Sequence, residues 1–241
     1  MTSIREQRAH ITTLLDVNSA ADAPTVYYAL YHDPNRSTLF IKDNEEGRPI
    51  GVVGRFQTGM DLFRPVIAMR CWQAEIAAQL LAEACIVGRP YLLFSNLNQL
   101  ALVGGSLEVN NERILSIYAL DPARFTPVVN VLVVNKTSPD GIPRSEIHSG
   151  GLQAVAGVNW MSPKFAEIYV HTEAEARQRG WGRSVAAACT ERVLSSGRTP
   201  LYLVEPNNEA SVNLAQTLGY YDTGARQVFA ETVYTGHPGK P

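Results

Sequence analysis

Two stretches of this chain, 110 residues apart, read in the same order: a helix, Gly-Arg, a proline, a buried strand, a polar turn and a short helix. The first, CWQAEIAAQLLAEACIVGRPYLLFSNLNQLA, begins at Cys71, and the second, WGRSVAAACTERVLSSGRTPLYLVEPNNEAS, begins at Trp181. At that offset Pro90 meets Pro200, Leu93 meets Leu203 and Asn98 meets Asn208. An internal duplication leaves such a trace, and so does shared secondary structure. On either account each half alternates strand and helix, which makes the chain an α/β protein. Its 241 residues suffice for one large domain or two of roughly 100–120 residues each.

In the first half, TVYYALY (25–31), TLFIKD (38–43), RPIGVVGRF (48–56) and FRPVIAMR (63–70) are β-branched and aromatic runs broken by Pro, Asp and Gly, and the pattern predicts strands. Between them and Gly88, Ile76, Leu80, Leu81 and Ala84 share one face of a predicted helix. PYLLFSN reads as a buried strand, LNQLALVGG as a short helix, and RILSIYAL and VVNVLVV as further strands. The pattern breaks at KTSPDGIPRSEIHSGG, rich in Ser, Pro and Gly. The expected domains are therefore an N-terminal α/β domain over 1–136, a linker over 137–150 that includes the polar run SEIHS, a second domain over 151–235 and a flexible tail over 236–241. Within the second domain LQAVAGV and FAEIYV read as strands, SVAAACTERVLSSG as a helix, PLYLVE as a strand, NEASVNLAQTLG as a short helix and RQVFAETVY as a final strand.

Composition narrows the function classes. A formal net charge of -2 provides no global basic field, so neither nucleic acid nor an anionic membrane is an expected partner. The N-terminal segment lacks a long apolar core and no run reaches the roughly 18–20 apolar residues of a membrane span. Cys71, Cys85 and Cys189 are odd in number and lie in apolar stretches, so they read as buried thiols in a reducing cytoplasm. Neither an HExxH nor a paired CxxC occurs, so no metal site is expected.

The octapeptide RQRGWGRS (177–184) lies between a predicted strand and a predicted helix. The first amides of a helix have no intrahelical partner, and the macrodipole adds partial positive charge there. Gly180 and Gly182 would let phosphate oxygens approach those amides, with Arg177, Arg179 and Arg183 adding charge. A solvated basic loop capping a surface helix is the alternative reading of the same eight residues. The octapeptide lacks both the Gly-Lys-Ser/Thr ending of a nucleoside-triphosphate loop and a GxGxxG fingerprint, and GVVGRFQTG near the N-terminus reads as turn punctuation.

The surrounding sequence resembles the GNAT superfamily of acetyl-CoA-dependent N-acetyltransferases. The resemblance rests on Arg177-x-x-Gly180-x-Gly182, on Ala166-Glu167-Ile168 before it, and on Asn208-x-x-Ser211 with Leu218-Gly219-Tyr220 after it, and it covers roughly 150–235. It implies a GNAT fold, with a mixed, mostly antiparallel sheet flanked by helices, beside an N-terminal half that is either a degenerate GNAT-like copy or an added α/β domain. It further implies that backbone N–H groups from Gln178 through Arg179, Gly180, Trp181, Gly182 and Arg183 to Ser184, supported by Arg177, hold the pyrophosphate of coenzyme A. The backbone of Tyr169, Val170 and His171 would pair with the pantetheine arm, and the strand's splay from PLYLVE would leave a gap for the acyl group. Asn208 and Ser211 would face the same arm, with Asn208 also capping its helix.

By the same resemblance the chain would transfer an acetyl group directly to an amine, with Glu167 as the general base. Many family members place a tyrosine, the acid for the leaving thiolate, where this chain has Ala215. A non-catalytic acyl-CoA sensor or interaction module is the alternative function. The expected partners are a small-molecule or peptide amine acceptor and, as an open option, a second copy of the chain in a homodimer.

Overall fold

The computed structural model describes residues 2–236, so the expected tail lies outside the described residues from position 237 onward. The chain divides into two compact units. One holds the chain up to Leu115 and from Ala225 on, and the other holds Ser116–Gly224. Neither boundary falls at position 136 or in 137–150, where the sequence pattern placed it.

In the first unit, α1 (Ile4–Ile11) opens on a capping box. The Ser3 hydroxyl accepts from the Glu6 amide, and the Glu6 carboxylate accepts from the Ser3 amide at 2.8 Å. The segment 25–31, expected as a strand, is helical instead: α2 (Ala23–Val26) runs into a wider π turn, Tyr27–Tyr31. Pro24 supplies a φ ready for a helix start. Val26 and Ala29, three apart, are buried, and Tyr28 sits 5.3 Å from the Phe56 ring and 5.6 Å from the Phe94 ring. Packing of one helical face has overridden the β propensity of a Val-Tyr-Tyr run.

β1 (Ser37–Asp43), β2 (Pro49–Phe56) and β3 (Val66–Arg70) pair antiparallel in sequence order. α3 (Ala74–Ala84) then carries the chain across to β4 (Pro90–Asn96), which pairs parallel to β3. Beyond β4 comes the short helix α4 (Leu100–Val103). Residues 227–233 of β11 (Tyr220–Tyr234) pair antiparallel on the far side of β4. Ile76, Leu80, Leu81 and Ala84 of α3 are buried against Ile67, Met69, Tyr91 and Leu93, each large side chain contributing about 1.5–3 kcal/mol.

The second unit repeats the scheme. β6 (Val134–Thr137), β7 (Pro143–Ser149), β8 (Leu152–Met161) and β9 (Phe165–Thr172) pair antiparallel in order. α5 (Trp181–Ser195) crosses over to β10 (Thr199–Val204), which is parallel to β9. Residues 116–119 of β5 (Leu107–Leu120) close the far side of β10, and α6 (Glu209–Thr217) follows β10. Each unit thus has antiparallel strands, one parallel pair bridged by a helix, and an antiparallel closing strand. The mixed, mostly antiparallel α/β architecture expected from the sequence is present.

Two sequence expectations fail here for a physical reason. The expected linker contains β7, and SEIHS is part of that strand, with Ser145, Glu146 and Ile147 buried. Its alternation is half concealed by polar residues that find partners: Ser145 donates to Asn135 at 2.6 Å, and Glu146 accepts from Arg144 at 3.1 Å. Conversely VVNVLVV, expected as a strand, contributes only Val134 to β6, and Val129 and Val131 are 94% and 95% exposed. The three cysteines are free and buried. Burial pushes the Cys71 thiol up to about 11 and those of Cys85 and Cys189 to about 12, leaving them protonated. Among the described residues no helix is long and apolar enough to cross a membrane.

The units differ at one place that matters. Between β3 and α3 lie three residues, 71–73, whereas between β9 and α5 lie eight, 173–180. The longer crossover is where RQRGWGRS sits. The first unit has no chain at that turn with which to build an equivalent loop.

Candidate active site in the second unit

β9 and β10 pair over three registered residues, ending at Glu167 with Leu201. Beyond that level β10 stays paired with β5 as far as Val204, and β9 stays paired with β8 as far as Thr172. The two strands therefore separate after Glu167, and the facing edge of β9 is freed from β10.

A pocket of about 630 Å³ opens along this fork. Val170, His171 and Thr172 line it from β9 and Tyr202 from β10. Arg177, Gln178 and Gly180 line it from the loop, Gly182 and Arg183 from the first turn of α5, and Asn208, Ser211 and Leu214 from α6 and its cap. Trp181, Ala176 and Ala210 complete the wall.

The loop's backbone explains why it can face an anion. Gln178 and Gly180 have φ of +62° and +74°, with Arg179 between them outside the left-handed region. Such alternation turns successive N–H groups to one side. The first i→i−4 bond of α5 runs from the Ser184 amide to the Gly180 carbonyl at 3.0 Å, so the amides of Trp181, Gly182 and Arg183 precede the helical ladder. No side chain caps the helix at Gly180. A Cβ on Gly180 would meet no atom within 4 Å and would project into open space at a position that lines the pocket. A Cβ on Gly182 would come within 2.9 Å of Thr172 Oγ1. Both glycines keep the amide cradle clear of side chains, and Arg177 and Arg183 stand exposed on its rim. This backbone fits a pyrophosphate.

Three residues expected at the cofactor through their backbone turn their side chains to other partners. The Arg179 guanidinium stacks over the Trp181 ring at 5.3 Å. Ser184 is buried: its hydroxyl donates to the Gly180 carbonyl at 3.0 Å and accepts from Asn130 Nδ2 at 3.1 Å. Tyr169 lays its ring against Gly157 of β8, an approach only a residue without Cβ allows. Asn208 does cap α6, its Oδ1 accepting from the Ser211 amide at 3.2 Å. The sequence pattern missed Thr172, Tyr202 and Leu214 as pocket walls and Asn130 as an anchor of the loop, because none belongs to a local motif.

Glu167 stands at the mouth of the fork. β8 carries an irregularity there: Val158 pairs with Ile168 and Trp160 with Glu167, leaving Asn159 as the extra residue of a bulge. Both bulge residues consequently turn donors toward one carboxylate, Asn159 Nδ2 at 2.9 Å and the Trp160 indole. Burial outweighs those donors and pushes the Glu167 carboxyl up to about 7. A carboxyl that is half ionised near neutral pH suits proton transfer. Among the described residues, no group of His, Cys, Asp and Glu is arranged to hold a metal.

Comparison with known proteins places this geometry. Residues 147–229 match the family model described as FR47-like protein, which is related to the GNAT acetyltransferases. The fold is shared with a tandem GNAT protein from the clavulanic acid biosynthesis pathway, at 14% identity over 98% of this chain and 97% of that one, with a TM-score of 0.62. It is also shared with a GCN5-related N-acetyltransferase from Sphaerobacter thermophilus (9% identity, 95% and 93% of the chains, TM-score 0.58). An acetyltransferase of the GNAT family from Colwellia psychrerythraea has it too (13% identity, 93% and 94%, TM-score 0.55). At these identities the likeness is one of fold: a GNAT fold, whose match to a tandem protein over nearly the whole length supports two related halves. No curated protein matches the sequence.

Proposed function

We propose that this chain is an N-acetyltransferase that moves an acetyl group from acetyl-CoA to a primary amine held in a ternary complex. The observation that carries the reading is the fork between β9 and β10 opening onto a glycine-cleared amide cradle. Acetyl-CoA supplies the activated thioester when bound. The amides from Gln178 to Arg183 would hold its pyrophosphate, Arg177 and Arg183 would add charge, and Val170, Asn208 and Ser211 would flank the arm in the fork. Glu167 would take a proton from the acceptor amine, directly or through water, since the nitrogen must be neutral to attack. The first unit, whose crossover lacks the loop, would leave the chain with one such site.

Acetyl-CoA titration with a thermal readout tests the reading. A native state that binds is stabilised by about 2.7 kcal/mol at a ligand concentration a hundred times Kd. Release of free thiol across a panel of amines then separates enzyme from sensor, and Gly180→Glu should abolish both signals. Absence of any shift at millimolar acetyl-CoA overturns the assignment. Binding without turnover across a broad panel favours the acyl-CoA sensor.

A further inference from the structure

Glu167 and Leu201 are the last registered pair of β9 and β10, so their side chains share one face of the sheet. Tyr202, the next residue of β10, points to the opposite face, where it packs with Ile168, Val185 and Tyr220 and lines the pocket. At the level where the strands separate, one face therefore offers a carboxyl and the other a phenol. The Ser211 side chain of α6, itself a pocket residue, lies beside the Tyr202 hydroxyl and favours its ionised form, against the burial that pushes the phenol up.

The two other tyrosine hydroxyls near the fork are not available. The Tyr220 hydroxyl is tied to Thr190 at 2.8 Å within the core. Tyr221 is exposed and does not line the pocket. Ala215, buried on α6, has no polar atom to offer. Thr172, Arg177, Gln178 and Arg183 line the pocket toward the cradle, whereas Tyr202 lies at the fork.

We infer that Tyr202 is a catalytic residue whose hydroxyl donates to the sulfur of the departing coenzyme A thiolate. The inference rests on the acetyl-transfer reading. As the amine nitrogen bonds to the acetyl carbon, the carbon–sulfur bond breaks and its electron pair stays on sulfur. The sulfur takes the Tyr202 proton, and water at the open side of the pocket returns one to the phenolate. The proton lost by the amine passes to Glu167 and on to solvent, so proton loss and gain balance. Base and acid then act from opposite faces at one level of the fork, and neither needs to cross the substrate.

The test follows the thiol of bound coenzyme A through its ultraviolet thiolate absorbance, which requires no knowledge of the acceptor. In the native protein the bound thiol should titrate below free coenzyme A. In Tyr202→Phe, which keeps the ring and its packing, it should titrate about one to two pH units higher than in the native protein, the size of a hydrogen bond to a charged atom. Affinity measured with the thiol protonated should change by no more than about threefold, since an uncharged hydrogen bond is worth little net. Tyr220→Phe should leave the thiol unchanged. Equal thiol titration in native protein and Tyr202→Phe, both with coenzyme A bound, overturns the role of Tyr202 alone. Failure of the native protein to bind coenzyme A overturns the acetyl-transfer reading and this inference with it.

Discussion

Asn159 Nδ2 stands 2.9 Å from Glu167 Oε1, a contact made where β8 carries one residue more than β9. That donor favours the ionised carboxylate, while burial, the larger effect, favours the neutral acid and leaves it near 7. A base must be ionised, so kcat/KM for acetyl transfer should rise with pH to a plateau, with its midpoint near 7. Glu167→Gln should lower the plateau about 10²–10⁴-fold and remove the midpoint. Asn159→Ala should move the midpoint upward, because the lost donor had stabilised the charge. A pH profile that is unaltered in Glu167→Gln would dismiss Glu167 as the base.

The same carboxyl makes a stability prediction. Its folded value lies above the ordinary 4.5, so the folded state holds the proton more tightly than the unfolded state. Its favourable contribution is complete below about 4.5 and is lost as pH rises through about 7. Glu167→Gln should therefore gain stability relative to the native chain across that window, by about 1–2 kcal/mol after allowing for partial exposure. Urea titrations at pH 5 and pH 8 would show the gap widening, and a constant gap would contradict the burial argument.

Gly182 and Thr172 form a second testable pair. A Cβ at Gly182 would sit 2.9 Å from Thr172 Oγ1, so Gly182→Ala must displace that hydroxyl or the helix start. Overpacking of this size costs about 1–3 kcal/mol and should weaken acetyl-CoA binding. Thr172→Ala removes the clashing atom, so the double variant should recover most of the loss in stability. A double-mutant cycle with no coupling would show that the two positions do not meet.

Asn130 reaches Ser184 from the connection between β5 and β6, and Ser184 in turn holds the Gly180 carbonyl. Asn130→Ala should loosen the cradle without touching the fork. The expected result is a rise of about 3–10-fold in KM for acetyl-CoA, the worth of one net hydrogen bond, with kcat retained. Pantetheine, which lacks the pyrophosphate, should bind native protein and variant alike. Equal weakening of both ligands would mean that the substitution disturbs the whole pocket.

Glu146 should govern acid stability in the second unit. Its buried carboxylate meets Lys136, Arg144 and His148, and the Lys136 ammonium is the main cause that holds its pKa below the ordinary 4.5. That contribution is present above about 4.5 and is lost as pH falls through the lower folded value. Glu146→Gln should flatten the acid limb of the melting temperature and lower stability at neutral pH by about 1–2 kcal/mol. Identical acid limbs would remove Glu146 from the account.

What a reader of the sequence could see was whatever a short window specifies. The crossover helices, the strands beside them and the glycine-freed loop depend on local periodicity and on residues within one turn of each other. The Ser3–Glu6 capping box is equally local, as Ser-x-x-Glu ahead of α1. The segment 25–31 is helical and not a strand because the packing of Tyr28 between Phe56 and Phe94 overrules the strand propensity of Val, Tyr and Tyr. The run 128–134 lies outside a strand except for Val134, and an apolar stretch does not reveal whether a neighbouring strand exists to pair with it.

The sequence by itself determined that strand and helix alternate in both halves and that a glycine-bearing basic turn opens one helix, since helix starts, glycine dihedrals and hydrophobic period are properties of neighbouring residues. Only the tertiary structure decided where β9 leaves β10, which bulge turns Asn159 toward Glu167, and that Tyr202 faces the pocket across from that carboxyl. Register between strands far apart in the chain sets those relations, and a shift of one residue would send each side chain to the other face.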